Sequence, residues 1–136
     1  MTYLLDTNVW VAFLRNPNSA VVPRLRARQP GDVCVCSVVV AELDYGCLRS
    51  ANPAANRGKV EALMQPYRSL PFDDAAAEQY AGVRRHLESL GAPIGPYDLQ
   101  IAAIAGTALP LELRRRHPPQ AVSQWHPSSG WILCHD

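Results

Sequence analysis

The stretch Thr2-Tyr3-Leu4-Leu5-Asp6-Thr7-Asn8, followed by Val9-Trp10-Val11-Ala12-Phe13-Leu14, decides how the rest of the chain is read. A short apolar run ends on a carboxylate, and a second apolar run of helical character starts directly after it. Asp6 or Thr7 is suited to cap that helix, since a short side-chain oxygen there accepts from an otherwise unpaired amide of the first turn. The unit is strand, acid, helix. It returns after the turn Gln29-Pro30-Gly31-Asp32, where Val33 to Cys36 reads as a buried strand and Ser37 is placed to cap a helix from Val38 to about Ser50. Glu42 lies one turn inside that helix. Alternating strands and helices predict a parallel α/β sheet, whose functional groups gather at the carboxyl ends of its strands. Asp6 and Glu42 both fall there.

Working outward, Ser19 to Arg28 reads as a helical stretch and Asn52-Pro53 starts a helix to about Tyr67. Ser69-Leu70 is a short strand candidate. Asp73 and Asp74 stand at the start of a long helix, Ala75 to Leu90, where acids suit the positive end of the dipole, and Gly91 ends it. Gly91-Ala92-Pro93-Ile94-Gly95-Pro96 breaks the chain before a last helix. Pro96 in its first turn puts Asp98 near a helix N-terminus.

With 136 residues the chain holds one compact domain rather than two. Apolar residues make up 48% and charged residues 18%, which excludes the highly charged composition of disorder. A net charge of +1 excludes a strong overall field for nucleic acid, although every basic residue except Lys59 is Arg, whose planar fork suits phosphate; codon bias accounts equally well for that excess. Cys34, Cys36, Cys47 and Cys134 lack the paired spacing of a zinc site and read as reduced thiols, the first two sharing one face of a strand. The chain opens on a strand rather than a signal segment, and no run of about 18 apolar residues occurs, so cytoplasmic residence is expected.

Asp6, Glu42 and Asp98 can converge only if the fold brings them together. Taken singly each has an ordinary explanation, as a helix cap or a solvated helix residue. Together they are hard oxygen ligands for Mg²⁺ or Mn²⁺, which retain water and suit phosphodiester hydrolysis by lowering the pKa of bound water and offsetting charge on the scissile phosphate. Leu-Leu-Asp-Thr-Asn at 4–8, Val-Val-Ala-Glu-Leu at 39–43 and Pro-Ile-Gly-Pro-Tyr-Asp-Leu-Gln-Ile-Ala-Ala at 93–103 resemble, in order and spacing, the motifs of PIN-domain ribonucleases of the VapC toxin type. The resemblance covers about residues 1–105. It implies a three-layer α/β/α domain with a central parallel sheet. It also implies a Mg²⁺- or Mn²⁺-dependent endoribonuclease that forms a homodimer and is silenced by a cognate antitoxin. Asp6 and Asp98 would then be the main metal ligands, Glu42 would complete the cluster directly or through water, and Asn8 matches the polar residue that orients the first acid.

The tail, residues 106–136, departs from that pattern, and its sequence supports at most a frayed helix through Leu109 to Arg116. Such proteins usually continue with a strand and a Thr-x-Asn-x-x-x-Phe-type segment carrying a fourth polar group, which this tail does not contain. Glu112, set in Leu-Glu-Leu-Arg-Arg-Arg, does not fit. Read in the frame shifted by two, the codons for Gln124-Trp125-His126-Pro127 give Val or Met, then Ala, then Pro or Ser, and Trp131-Ile132 forces an Asp codon, so that frame can spell Val-Ala-Pro-x-Leu-x-x-Asp, near the expected closing motif. Two readings follow: a frameshift after about Ala105, or a divergent but genuine tail. The first would remove a strand and a ligand and impair activity, so a weak or inactive module that binds antitoxin or dimerises is the alternative function. A phosphatase reading is disfavoured because Thr-Asn, not a second acid two positions on, follows Asp6. Arg84 and Arg85 read as a solvated helix face, Arg114 to Arg116 could hold RNA backbone, the four histidines lack ligand spacing, and Trp10 and Phe13 have the i, i+3 spacing of a packing pair.

Overall fold

A computed structural model describes residues 2–108 and 130–135. β1 (Thr2–Leu5) leads into α1 (Thr7–Arg15), α2 (Val21–Arg26), β2 (Val33–Cys36), α3 (Ser37–Leu48), α4 (Pro53–Met64), β3 (Arg68–Leu70), α5 (Asp74–Ser89), α6 (Pro96–Thr107) and β4 (Trp131–His135). The strands form one sheet in the order β3-β2-β1-β4, at the centre of a three-layer α/β/α fold. β1 pairs parallel with β2, and β2 with β3. Leu4 faces Cys34 across the first pair and Cys36 faces Leu70 across the second.

The first two strands read as unbroken apolar runs because helices cover both faces of such a sheet and leave no position for polar residues. Leu4, Leu5, Val33, Val35 and Cys36 are almost fully buried, each large aliphatic side chain stabilising the fold by roughly 1.5–3 kcal/mol relative to exposure. Trp10 turns inward from α1 and packs on Tyr67, ring centroids 5.2 Å apart, so the packing role expected of Trp10 is the one it has. Three helices start on side-chain caps. Asp6 accepts from the Val9 amide, Asn52 from Ala55 and Asp73 from Ala76, while Gly91, with φ +67°, supplies the left-handed residue that stops α5.

One expectation is corrected. Ser37 does not cap α3: it is the first helical residue, Cys36 occupies the cap position, and the Ser37 hydroxyl instead accepts from the Phe72 amide at 3.1 Å. A distant loop outcompeted the local cap. The sheet is mostly parallel, as expected, and at one edge β4, a strand that the sequence did not announce, runs antiparallel along β1 with Leu4 opposite Ile132 and Leu5 opposite Trp131. Trp131 is buried beneath the Arg24 guanidinium, 4.1 Å from its ring, and meets Tyr3 edge-on at 5.6 Å. The helix considered for Leu109 to Arg116, the arginine run and Glu112 lie outside the described residues.

All four cysteines are buried free thiols. Burial pushes the Cys36 thiol up to about 11 and the Cys134 thiol up to about 12, so both stay neutral core groups. Among the described residues no helix is long and apolar enough to cross a membrane.

Candidate active site

Asp6 lies where β1 ends and α1 begins, and its side chain and its backbone amide each tie it to a different element. Its Oδ1 accepts from the Val9 amide at 3.1 Å, which caps α1. Its own amide donates to the Gly130 carbonyl at 2.9 Å, which ties it to the residue preceding β4. The side chain is buried, only 7% exposed. Burial is the main reason its carboxyl holds a proton more tightly than usual. The Val9 and Asn8 amides oppose that shift, and the negative fields of Asp98 and Glu42 add to it.

Glu42 approaches from α3. The Thr7 hydroxyl donates to Glu42 Oε2, an interaction that joins the first residue of α1 to the middle of α3. Asp98 stands in the first turn of α6, exposed to solvent, and its carboxyl is also raised, first by partial desolvation and then by the field of Glu42. The fold therefore brings all three acids within electrostatic reach of one another. Among the described residues none of them is ion-paired: the pairs present are Arg57 with Asp44 and Glu61, and Arg84 with Glu88. Like charges gathered without an ion-pair partner make a site whose electrostatics improve when a cation enters.

The donor set suits a hard divalent ion, since each acid offers carboxylate oxygens and the neutral thiol of Cys36 competes poorly with them. Spacing is looser than in a preformed cage. Among the described residues no group of three or more His, Cys, Asp or Glu side chains is close enough to hold a metal as it stands.

Asn8 is placed differently from expectation. Its side chain is exposed, and it is its backbone amide that faces Asp6. Arg84 pairs with Glu88 at 2.9 Å on an exposed helix face, as its solvated reading required. Sequence reasoning missed Thr7 as a partner of Glu42 and gave Gly130 no role. It also missed the cations beside the acids. A cavity of about 270 Å³ between α1, α3 and α4 is lined by Val11, Leu14, Arg15, Glu42 and Lys59. An open groove of about 690 Å³ on the other side of Glu42 is lined by Thr7, Tyr45, Arg49 and Tyr97. The i, i+3 spacing of Glu42 and Tyr45 on α3 was a usable signal for that groove, whereas Arg15 and Lys59 come from separate helices and carried none.

Carboxylates converging at the carboxyl ends of a mostly parallel sheet define a class of α/β protein fitted to divalent cations. Residues 3–108 match the PIN domain, and the chain belongs to that family. It is 33% identical over 105 residues to the tRNA(fMet)-specific endonuclease VapC of Shigella flexneri, covering 77% of this chain and 79% of that protein. The structure of DNA-bound VapBC from Salmonella typhimurium superposes with a TM-score of 0.69 at 32% identity, over 76% of this chain and 78% of that one. FitAcB from Neisseria gonorrhoeae gives 0.67 at 36% identity, over 75% and 78%. The resemblance drawn from three short motifs is thus borne out across most of the chain.

Proposed function

We propose that this chain is a Mg²⁺- or Mn²⁺-dependent endoribonuclease, the toxin of a toxin–antitoxin pair, acting in the cytoplasm with Asp6, Glu42 and Asp98 as its metal-binding acids. One observation carries the reading: a buried carboxylate, Asp6, lies in the fields of two further acids, and among the described residues none of the three is ion-paired. Ribonuclease VapC2 of Haemophilus influenzae, 30% identical over 105 residues, and the Shigella endonuclease supply the substrate class, and the VapBC and FitAcB assemblies supply the partner class.

When bound, the cation supplies a water of lowered pKa and positive charge for the scissile phosphate. The chain's own residues set the rest. Asp6 is held rigidly by β1, by the Val9 amide and by Gly130, so it presents a fixed ligand. Thr7 holds Glu42 by one carboxylate oxygen, and the solvent-exposed Asp98 would complete the set of acids that holds the cation. Arg49 on one flank of Glu42, and Arg15 with Lys59 on the other, offer positive charge to backbone phosphates on either side of the cleavage point. The reading includes a homodimer, which the family resemblance implies.

A second reading, a weakly active or inactive module that binds antitoxin or dimerises, is favoured by the absence of a preformed metal group among the described residues. One titration separates the two. RNA cleavage is measured against added Mg²⁺ or Mn²⁺ for the wild type and Asp98→Asn, with light scattering on the same samples. The nuclease reading expects cleavage that EDTA abolishes and that Asp98→Asn lowers at least about 100-fold, the scale of losing one group that stabilises developing charge, in a protein of dimer mass. Cleavage that survives in EDTA or in the variant refutes the site. A dimer that leaves RNA intact at every Mg²⁺ and Mn²⁺ concentration establishes the second reading.

A further inference from the structure

Gly130 lies outside the stretch that matches the PIN domain, yet it makes the closest approach of any described glycine to another residue. A Cβ placed on it would fall 2.5 Å from Asp6 Oδ1 and 2.5 Å from Val9 Cγ2, distances at which one side must move. Its φ of +66° is also a conformation that side chains with a Cβ rarely adopt. Its carbonyl accepts the Asp6 amide at 2.9 Å. The residue after it, Trp131, is locked opposite Leu5 in the β1–β4 ladder and covered by Arg24.

We propose that Gly130 is a positioning residue for the metal-binding carboxylate of Asp6: its backbone fixes the Asp6 main chain from one side, and its missing side chain is the space that the carboxylate occupies. The proposal rests on the metal-dependent reading above. It assigns the far end of the chain a part in a site whose acids all come from the first 98 residues. Residues that orient a ligand without touching the metal typically change metal affinity about 10- to 100-fold when altered, and that is the effect expected here.

Gly91 provides the control. It has nearly the same φ, +67°, but nothing lies within 4 Å of where its Cβ would stand, so Gly91→Ala reports backbone strain alone. Mn²⁺ binding to the full-length chain is measured by calorimetry for the wild type, Gly130→Ala and Gly91→Ala, beside thermal melts. The expected result is Mn²⁺ binding weakened about tenfold or more in Gly130→Ala and less than about twofold in Gly91→Ala. Wild-type affinity in a folded Gly130→Ala protein, or an equal loss in both variants, overturns the proposal. If Gly130→Ala does not fold, Gly130→Ala combined with Val9→Ala relieves the second contact and keeps the one with Asp6. Weakened Mn²⁺ binding in that folded double variant, against an unaffected Val9→Ala single variant, sustains the role, and unchanged binding overturns it. A wild type that binds no Mn²⁺ overturns the metal reading and this inference together, whereas tight wild-type binding indifferent to position 130 overturns this inference alone.

Discussion

β1 is held between two strands of different origin. On one flank β2 arrives after a short excursion through α1 and α2, pairs in parallel and continues straight into α3, which carries Glu42. On the other, β4 comes from the end of the chain, pairs antiparallel and carries Gly130 at its entrance. Asp6 sits at the end of β1 between them. The β2 flank brings a second acid and the Thr7 contact, so it contributes chemistry. The β4 flank contributes a carbonyl and a vacant Cβ position, so it contributes placement. A carboxylate at a strand end is thus made into a fixed ligand by neighbours on both sides, and the neighbour without a functional side chain matters as well.

The largest break of this comparison is on the β4 side. Trp131→Ala removes a side chain only 4% exposed, together with its contacts to Arg24 and Tyr3, and is expected to cost about 3–5 kcal/mol in chemical denaturation. If β4 were only a loose covering, the variant would lose less than about 1 kcal/mol, as surface changes do. On the β2 side, Thr7→Val keeps shape and removes the hydroxyl that donates to Glu42. It is expected to weaken Mg²⁺ activation of cleavage about tenfold with little change in the melting midpoint, and an unchanged metal requirement would leave Glu42 outside the working set.

The smallest effect sharpens the view of Asp6 itself. Its folded-state pKa is raised by burial and by the neighbouring acids, as is that of Asp98 by partial desolvation and Glu42. An acid that binds its proton more tightly when folded contributes stability fully below its unfolded pKa, near pH 4, and that contribution is lost as pH rises through the raised folded value. The metal-free melting midpoint is therefore expected to fall by a few degrees between pH 4 and neutrality, and added Mg²⁺ to restore it at pH 7 but not at pH 4. A metal-free midpoint that climbs over that interval, with no Mg²⁺ effect at neutral pH, would mean that the acids carry no mutual strain.

Much of this molecule is legible from local sequence. β1 and β2 fall on the residues their apolar runs indicate, and α1, α4 and α5 start at Asp6, Asn52 and Asp73, whose side-chain oxygens cap the first turn. Asp6 and Asp98 were legible for the same reason, since each sits at a boundary between elements and boundaries are written in a few adjacent residues, whereas Glu42, in the middle of α3, was legible only through its Val-Val-Ala-Glu-Leu motif. Ser37 shows where that logic fails, since its hydroxyl found the Phe72 amide rather than the start of its own helix.

What sequence alone determined about this protein is the set of local units and the identity of its candidate ligands, because capping, periodicity and turn chemistry act over a handful of residues. Tertiary structure alone decided which edge of β1 receives Trp131–His135, that Thr7 meets Glu42, and that a glycine at position 130 leaves room for Asp6. Those contacts join residues 35 or more positions apart, and nothing in the neighbourhood of either partner encodes where the other will be once the sheet has formed.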